Sequence, residues 1–321
     1  MAKTSRRQRR LTNPGLRGSK KLKPIDDLLE RGTLEDLRKA KYRTGLLRRF
    51  HWDFYSELAR QREEIKTQIH AALNEAAVSN FEFQHWQRAV KYKYGLHPLS
   101  AVGSLGMPGG RFNIGDVNSN VPSFPALYIA IDKDTALQET LGQSKSQDTR
   151  LSPQEVALTN PESETIVSVT GSLGRVFDLR SANNLRKFVN LIKGFTISAQ
   201  LRNQGVRFGA KTDLVLKPSQ LMKSLMVDDW CLHPMVYDVP ANSQIFGQMV
   251  SGAGIEGIIY PSKLTKKPCL AIFPRNFENS SSFIKLDHET PDSRVRTRID
   301  AKNWRLCEMS TEDVFALTGL L

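Results

Sequence analysis

The chain has 321 residues, 40% of them apolar, and a formal charge of +13. It can bury a proper core in one large domain or two, and it lacks both the run of about eighteen apolar residues that a membrane span needs and the apolar N-terminal segment of a secreted protein. Cytoplasmic residence is the default expectation, and the scattered Cys231, Cys269 and Cys307 and six histidines, none at ligand spacing, point to no disulfide framework and no metal.

Charge is concentrated at the start. Residues 1–50 hold sixteen Lys or Arg against five Asp or Glu, a net +11 that leaves only +2 for the rest. Met1 to Lys23 carries nine basic residues and no acidic one, a composition that cannot bury enough surface to fold alone. Residues 1–48 are therefore read as a basic, largely flexible arm, serving either as a salt-sensitive contact for nucleic acid or as a solubilising tail. Within it, Asp26 to Ala40 reads as a short helix interrupted at Gly32.

Phe54, Leu58, Ile65, Ile69, Ala72 and Ala76 recur at helical spacing and predict a long amphipathic helix from about Trp52 to Val78. Residues 49–80 thus make a helical extension that packs on the core, with docking of an inhibitor protein or of a second copy as the alternatives. Phe81 to Leu99 interleaves aromatic and basic residues, a pattern that suits single-stranded nucleic acid, a pocket wall or an ordinary strand.

Gly103 to Gly142 is the stretch densest in signals. Gly109 and Gly110 precede Arg111, and glycines permit close approach to a ligand while a guanidinium offers a planar fork for phosphate. Ala126 to Ile131 suits a buried strand; Asp132 or Asp134 then offers a helix cap and Gly142 a stop. Tyr128 lies on the strand, and Glu139 lies beside the apolar stripe of the helix.

Beyond Gly142 a polar stretch to Thr165 reads as a loop or lid. Ile166–Val169 and Arg175–Leu179 read as two strands joined by Gly171–Gly174, and Asn183–Asn203 as a helix, with further apolar positions from Leu214 to Val227. Gly252, Gly254 and Gly257 satisfy G-x-G-x-x-G. A helix precedes them and a strand follows, the reverse of a Rossmann turn, which is therefore rejected. Residues 279–321 read as a linker and a small terminal element.

The order GGRFN, a YIA strand, then A-L-x-E-T-L resembles the RES domain family, named for its Arg, Glu and Ser residues. SQIFGQMVSGAGIEGIIYPSKLTKKPCLAIF resembles its closing block. The resemblance implies an α+β fold, a compact ADP-ribosyltransferase-like mixed sheet with flanking helices, over residues 81–278. It also implies an enzyme that consumes NAD as substrate with no retained cofactor, in many members a toxin held in check by a DNA-binding antitoxin. Arg111, Tyr128, Glu139 and Ser262 fall on the family's arginine, strand tyrosine, helical glutamate and serine. Gly110, Phe112 and Asn113 match the first block as NAD-binding positions. Arg88 is the candidate second arginine, with Arg48 and Arg49 as alternatives.

NAD carries a leaving group that is already cationic, so cleavage passes through an oxocarbenium-like state that a carboxylate can stabilise. Glu139 takes that part. Arg111 and Arg88 would clamp the pyrophosphate, Tyr128 would meet the nicotinamide ring, and Ser262 would bond to ribose, phosphate or the attacking group. Water, phosphate or a macromolecule could each accept the ADP-ribosyl group. The separation of Glu139 and Ser262 is larger than the family pattern requires, and that insertion bears on the choice. A non-catalytic nucleic-acid-binding protein is the alternative from another class.

Overall fold

The structure is a computed structural model describing residues 34–91, 94–141, 164–290 and 294–309. The chain divides into two compact units, Met1–Leu46 and Leu47–Leu321. Most of the basic arm and the expected lid fall outside the described residues. In the first unit the described residues are helical, with an exposed i,i+4 pair between Glu35 and Lys39 at 2.6 Å. No helix among the described residues is long and apolar enough to cross a membrane.

Helix α1 (Leu34–Glu64) begins in the first unit and continues into the second. Ile65 leaves helical geometry, and α2 (Lys66–Ala76) follows with Ile69 and Leu73 buried. The single helix expected to reach Val78 is therefore two, and its end is already strand. Strand β1 (Ala77–Lys91) pairs antiparallel with β5 (Glu164–Asp178) along nearly its whole length, from Ala77 opposite Phe177 to Lys91 opposite Glu164. So long a ladder outweighs helical periodicity.

Strand β5 also corrects the expectation of two strands joined at Gly171–Gly174. At Gly171 a Cβ would meet the Phe83 ring and the Phe283 carbonyl. The glycine is there for close packing inside one continuous strand, not for a turn. Phe83 and Trp86 of β1 are buried in the core, so these rings are not an open stacking platform for nucleic acid.

A two-stranded ribbon, β2 (Gly109–Gly110) and β3 (Asn113–Ile114), leads to β4 (Leu127–Ala130) and helix α3 (Lys133–Leu141). Asp132 caps α3, its Oδ1 accepting from the Thr135 amide at 2.9 Å. The segment after β5 supplies α4 (Arg186–Ile192), α5 (Ala199–Phe208), α6 (Pro218–Leu225), α7 (Leu232–Tyr237) and α8 (Asn242–Gly252). The long helix expected over Asn183–Asn203 is broken around Gly194, and α5 starts afresh where the Ser198 hydroxyl accepts from the Leu201 amide.

Strands β6 (Gly257–Pro261), β7 (Pro268–Ile272), β8 (Phe283–Leu286) and β9 (Arg298–Asp300) complete a seven-stranded mixed sheet of order β1-β4-β7-β6-β5-β8-β9. The extra β1–β5 pairing closes the first five strands into a ring. Among the described strands only β5 and β6 pair in parallel. Beyond Phe277, Phe283–Leu286 and Arg298–Asp300 are thus part of the sheet, and Cys307 is buried in its core.

Alternation along the strands separates two faces. Leu127, Ile129, Ile259, Leu270 and Ile272 pack on one cluster with Phe83 and Trp86. Tyr128, Ala130, Ile258, Tyr260, Cys269 and Ala271 face the other, together with residues of α2, α4, α6 and α8. The candidate site is built on this second, helix-covered face.

Candidate functional site

Strand β4 places Tyr128 on the helix-covered face, where its hydroxyl donates to Asn113 Oδ1 at 2.9 Å and accepts from the Phe112 amide at 2.9 Å. Asn113 Oδ1 also accepts from the Gly110 amide at 2.9 Å, and its Nδ2 donates to the Ser104 and Phe124 carbonyls at 2.8 and 2.9 Å. Asn113 is fully buried and its four bonds are made within the protein. It therefore shapes the Arg111 turn from below and has no capacity left for a nucleotide. The two glycines have a related reason. Gly109 has φ +86°, and a Cβ on Gly110 would run into Tyr128 and Asn113. The close approach is to the protein's own tyrosine.

Arg111 emerges from this turn half-buried. Its Nη1 donates to the Val227 carbonyl at 2.8 Å, and its guanidinium lies 5.9 Å from the Trp230 ring centroid. Across the site, Glu139 of α3 accepts from Ser262 Oγ at 2.5 Å on Oε1. Ser262 follows β6, is buried, and its Oγ accepts from the Leu264 and Thr265 amides, both at 3.1 Å. One proton and two lone pairs are thereby all committed, so Ser262 orients the carboxylate and holds nothing for a ligand. Glu139 Oε2 has no hydrogen-bond partner among the described residues.

Electrostatics tie the two halves together. Burial pushes the Tyr260 phenol well above its ordinary value; Cys269, Glu139 and Tyr128 add to the shift and Arg111 opposes it. Burial likewise raises the Cys269 thiol, with Glu139 contributing and Arg111 opposing. Tyr260 and Cys269 thus both feel the charges of Glu139 and Arg111. The Tyr128 phenol is raised mainly by burial, so its hydroxyl stays protonated and both its bonds are spoken for.

The sequence of the RES domain family matches residues 85–292. The chain belongs to the RES domain family. A solved structure described as the M.tuberculosis MbcT-MbcA toxin-antitoxin complex is similar at a TM-score of 0.37 and 13% identity, covering 76% of this chain and 97% of that one. No curated protein matches the chain.

Not every sequence-derived candidate joins this candidate site. Arg88 projects to the opposite face of the sheet, where its Nε, Nη1 and Nη2 donate to the carbonyls of Pro98, Tyr128 and Ser100 at 2.8, 3.1 and 2.5 Å. Burial lowers its guanidinium to about 10, well within the charged range at neutral pH. Arg88 braces the strand that bears Tyr128 and does not stand beside Arg111. Phe112 is buried edge-to-face on Tyr260 at 4.8 Å and belongs to the wall of the core.

Conversely, Val227 and Trp230 line the candidate site and carry no sequence motif, while Gln244 and Tyr260 lie inside the closing block without having been singled out. Val227 and Trp230 come from the segment inserted between Glu139 and Ser262. Lys263, next to Ser262, pairs with Asp228 of the same loop at 3.5 Å. One loop therefore reaches both the arginine and the serine side. Concavities of about 430 and 320 Å³ open elsewhere, one beside Arg175 and Glu256 and one beside Tyr55 and Arg62. Neither is lined by Arg111, Tyr128, Glu139 or Ser262.

Proposed function

We propose that this RES domain cleaves the nicotinamide–ribose bond of NAD and acts as the toxin of a toxin–antitoxin pair. The observation that carries the reading is the carboxylate of Glu139, fixed on one oxygen by Ser262 with its other oxygen unpaired among the described residues, and joined to the arginine side by the loop that bonds Arg111 at Val227 and pairs Asp228 with Lys263 beside Ser262. A carboxylate held in one orientation is what a developing ribosyl cation requires, because no reorganisation is needed as charge appears. Nicotinamide leaves as a neutral ring, so no strong acid is needed opposite Glu139, in keeping with a Tyr128 whose proton is held by Asn113. Arg111 supplies a charge-assisted contact to the pyrophosphate, with the Val227 carbonyl as the partner it exchanges for phosphate oxygen.

Water or phosphate is the acceptor in this reading. The test incubates the full chain with NAD, with and without phosphate, and follows free nicotinamide together with ADP-ribose or its 1″-phosphate. Nicotinamide release that is lost in Glu139→Gln supports the reading, and full activity in that variant overturns it. Transfer of label from NAD onto protein or nucleic acid, without free ADP-ribose, would replace it with macromolecular modification. A DNA-binding antitoxin is the partner that the family implies, and toxicity relieved by raised NAD supply would support depletion.

A further inference from the structure

Helix α8 lies against the back of the Arg111 turn. A Cβ on its Gly247 would collide with the Phe112 carbonyl, so helix and turn meet backbone to backbone. One turn earlier in the same helix, Gln244 is completely buried. Its Oε1 accepts from the Ala241 amide at 3.0 Å, and its Nε2 faces three carbonyls, Pro108 at 2.7 Å, Gly110 at 3.1 Å and Asn113 at 3.0 Å. The amide orientation is unambiguous, because a flip would set its oxygen against three others.

Those three carbonyls bracket Arg111 on both sides. The Gly110 and Asn113 amide and side-chain bonds described above fix the turn from the strand side; Gln244 fixes it from the helix side. A residue whose backbone is clamped from both sides holds its guanidinium at a defined height above the sheet, and a misplacement of about 1 Å at such a clamp weakens ligand contacts severely. We infer that Gln244 is a positioning residue that sets Arg111 for a pyrophosphate. This rests on the NAD-cleaving reading of the same site.

The test compares wild type, Gln244→Met and Gln244→Glu. The methionine has similar volume and no donor; a neutral glutamic acid restores one O–H donor of the two N–H donors lost. The expected order of KM for NAD is wild type, then Glu, then Met, with the methionine variant raised about tenfold and kcat changed far less. In an Arg111→Ala background the further loss from Gln244→Met should vanish, because both act through one guanidinium. A purely structural residue would lower the unfolding midpoint and leave KM untouched, and that result, or full additivity with Arg111→Ala, overturns the inference.

A second readout does not depend on the reaction. The Arg111 Nε–H resonance, assigned by its loss in Arg111→Lys, should shift or broaden in Gln244→Met, and an unchanged resonance overturns the inference even if wild type proves inactive toward NAD. Absence of NAD turnover in wild type, by contrast, removes the functional reading alone. If the methionine variant does not fold, the glutamate variant carries both measurements.

Discussion

Ser262 Oγ donates to Glu139 Oε1 at 2.5 Å across 123 positions of sequence, and two backbone amides of the turn after β6 donate into the same oxygen. The hydroxyl is thereby a rigid connector between a β-turn and a helix. Removing it frees the carboxylate to rotate. Ser262→Ala is expected to lower kcat for nicotinamide release about tenfold to a hundredfold, in line with losing one hydrogen bond to a charged group, with little change in KM. Steady-state kinetics on NAD decide it; a pure KM effect would mean that Ser262 contacts substrate instead.

Arg111 should prove intolerant of lysine. Its guanidinium donates to Val227 and lies over Trp230 at once, a planar geometry that an ammonium does not reproduce. Arg111→Lys is expected to raise KM for NAD about tenfold or more while leaving the unfolding midpoint nearly unchanged. Wild-type affinity for ADP-ribose in that variant, measured by calorimetry, would remove Arg111 from the pyrophosphate.

Arg88 separates stability from function. Its three carbonyl partners would be stranded in Arg88→Met, and the cost of leaving such groups without donors is about 3 kcal/mol. The variant should unfold at markedly lower urea concentration, yet its folded fraction should keep the wild-type KM. A raised KM with unchanged stability would return Arg88 to the nucleotide.

These contrasts follow from what a linear sequence can carry. Local chemistry was readable: Asp132 as a cap, Ala126–Ile131 as a buried strand, and the reversed order of elements around Gly252–Gly257 that rules out a Rossmann turn. The mixed sheet with flanking helices followed from the family resemblance. The side of the sheet on which Arg88 falls was not, since the bulge between Phe83 and Trp86 resets the alternation that decides it. Nor was the part of Gln244, Val227 or Trp230, whose partners lie more than a hundred residues away and follow no period. Gly171 misled for a related reason: a glycine needed for tight packing against Phe83 looks, in sequence, like a glycine needed for a turn.

Acid should weaken the fold through histidines that are buried neutral. His97 is 1% exposed, neither ring nitrogen has a partner among the described residues, and burial, then Arg296 and Arg88, push it down to about 4. His51 is also pushed down to about 4, by burial and then by His233. Each binds a proton more readily in the unfolded chain, with an ordinary value of about 6.5, than in the folded one. Stability contributed by the neutral rings is therefore complete above about pH 6.5 and is lost as pH falls toward about 4. Urea midpoints at pH 7 and pH 5 should differ in that direction. His97→Leu removes one of these titrations together with two unpartnered nitrogens, so its midpoint at pH 7 should equal or exceed wild type and its decline toward pH 5 should be shallower. A steeper decline, or a loss of stability at pH 7, would show that the His97 ring is held by a hydrogen bond after all.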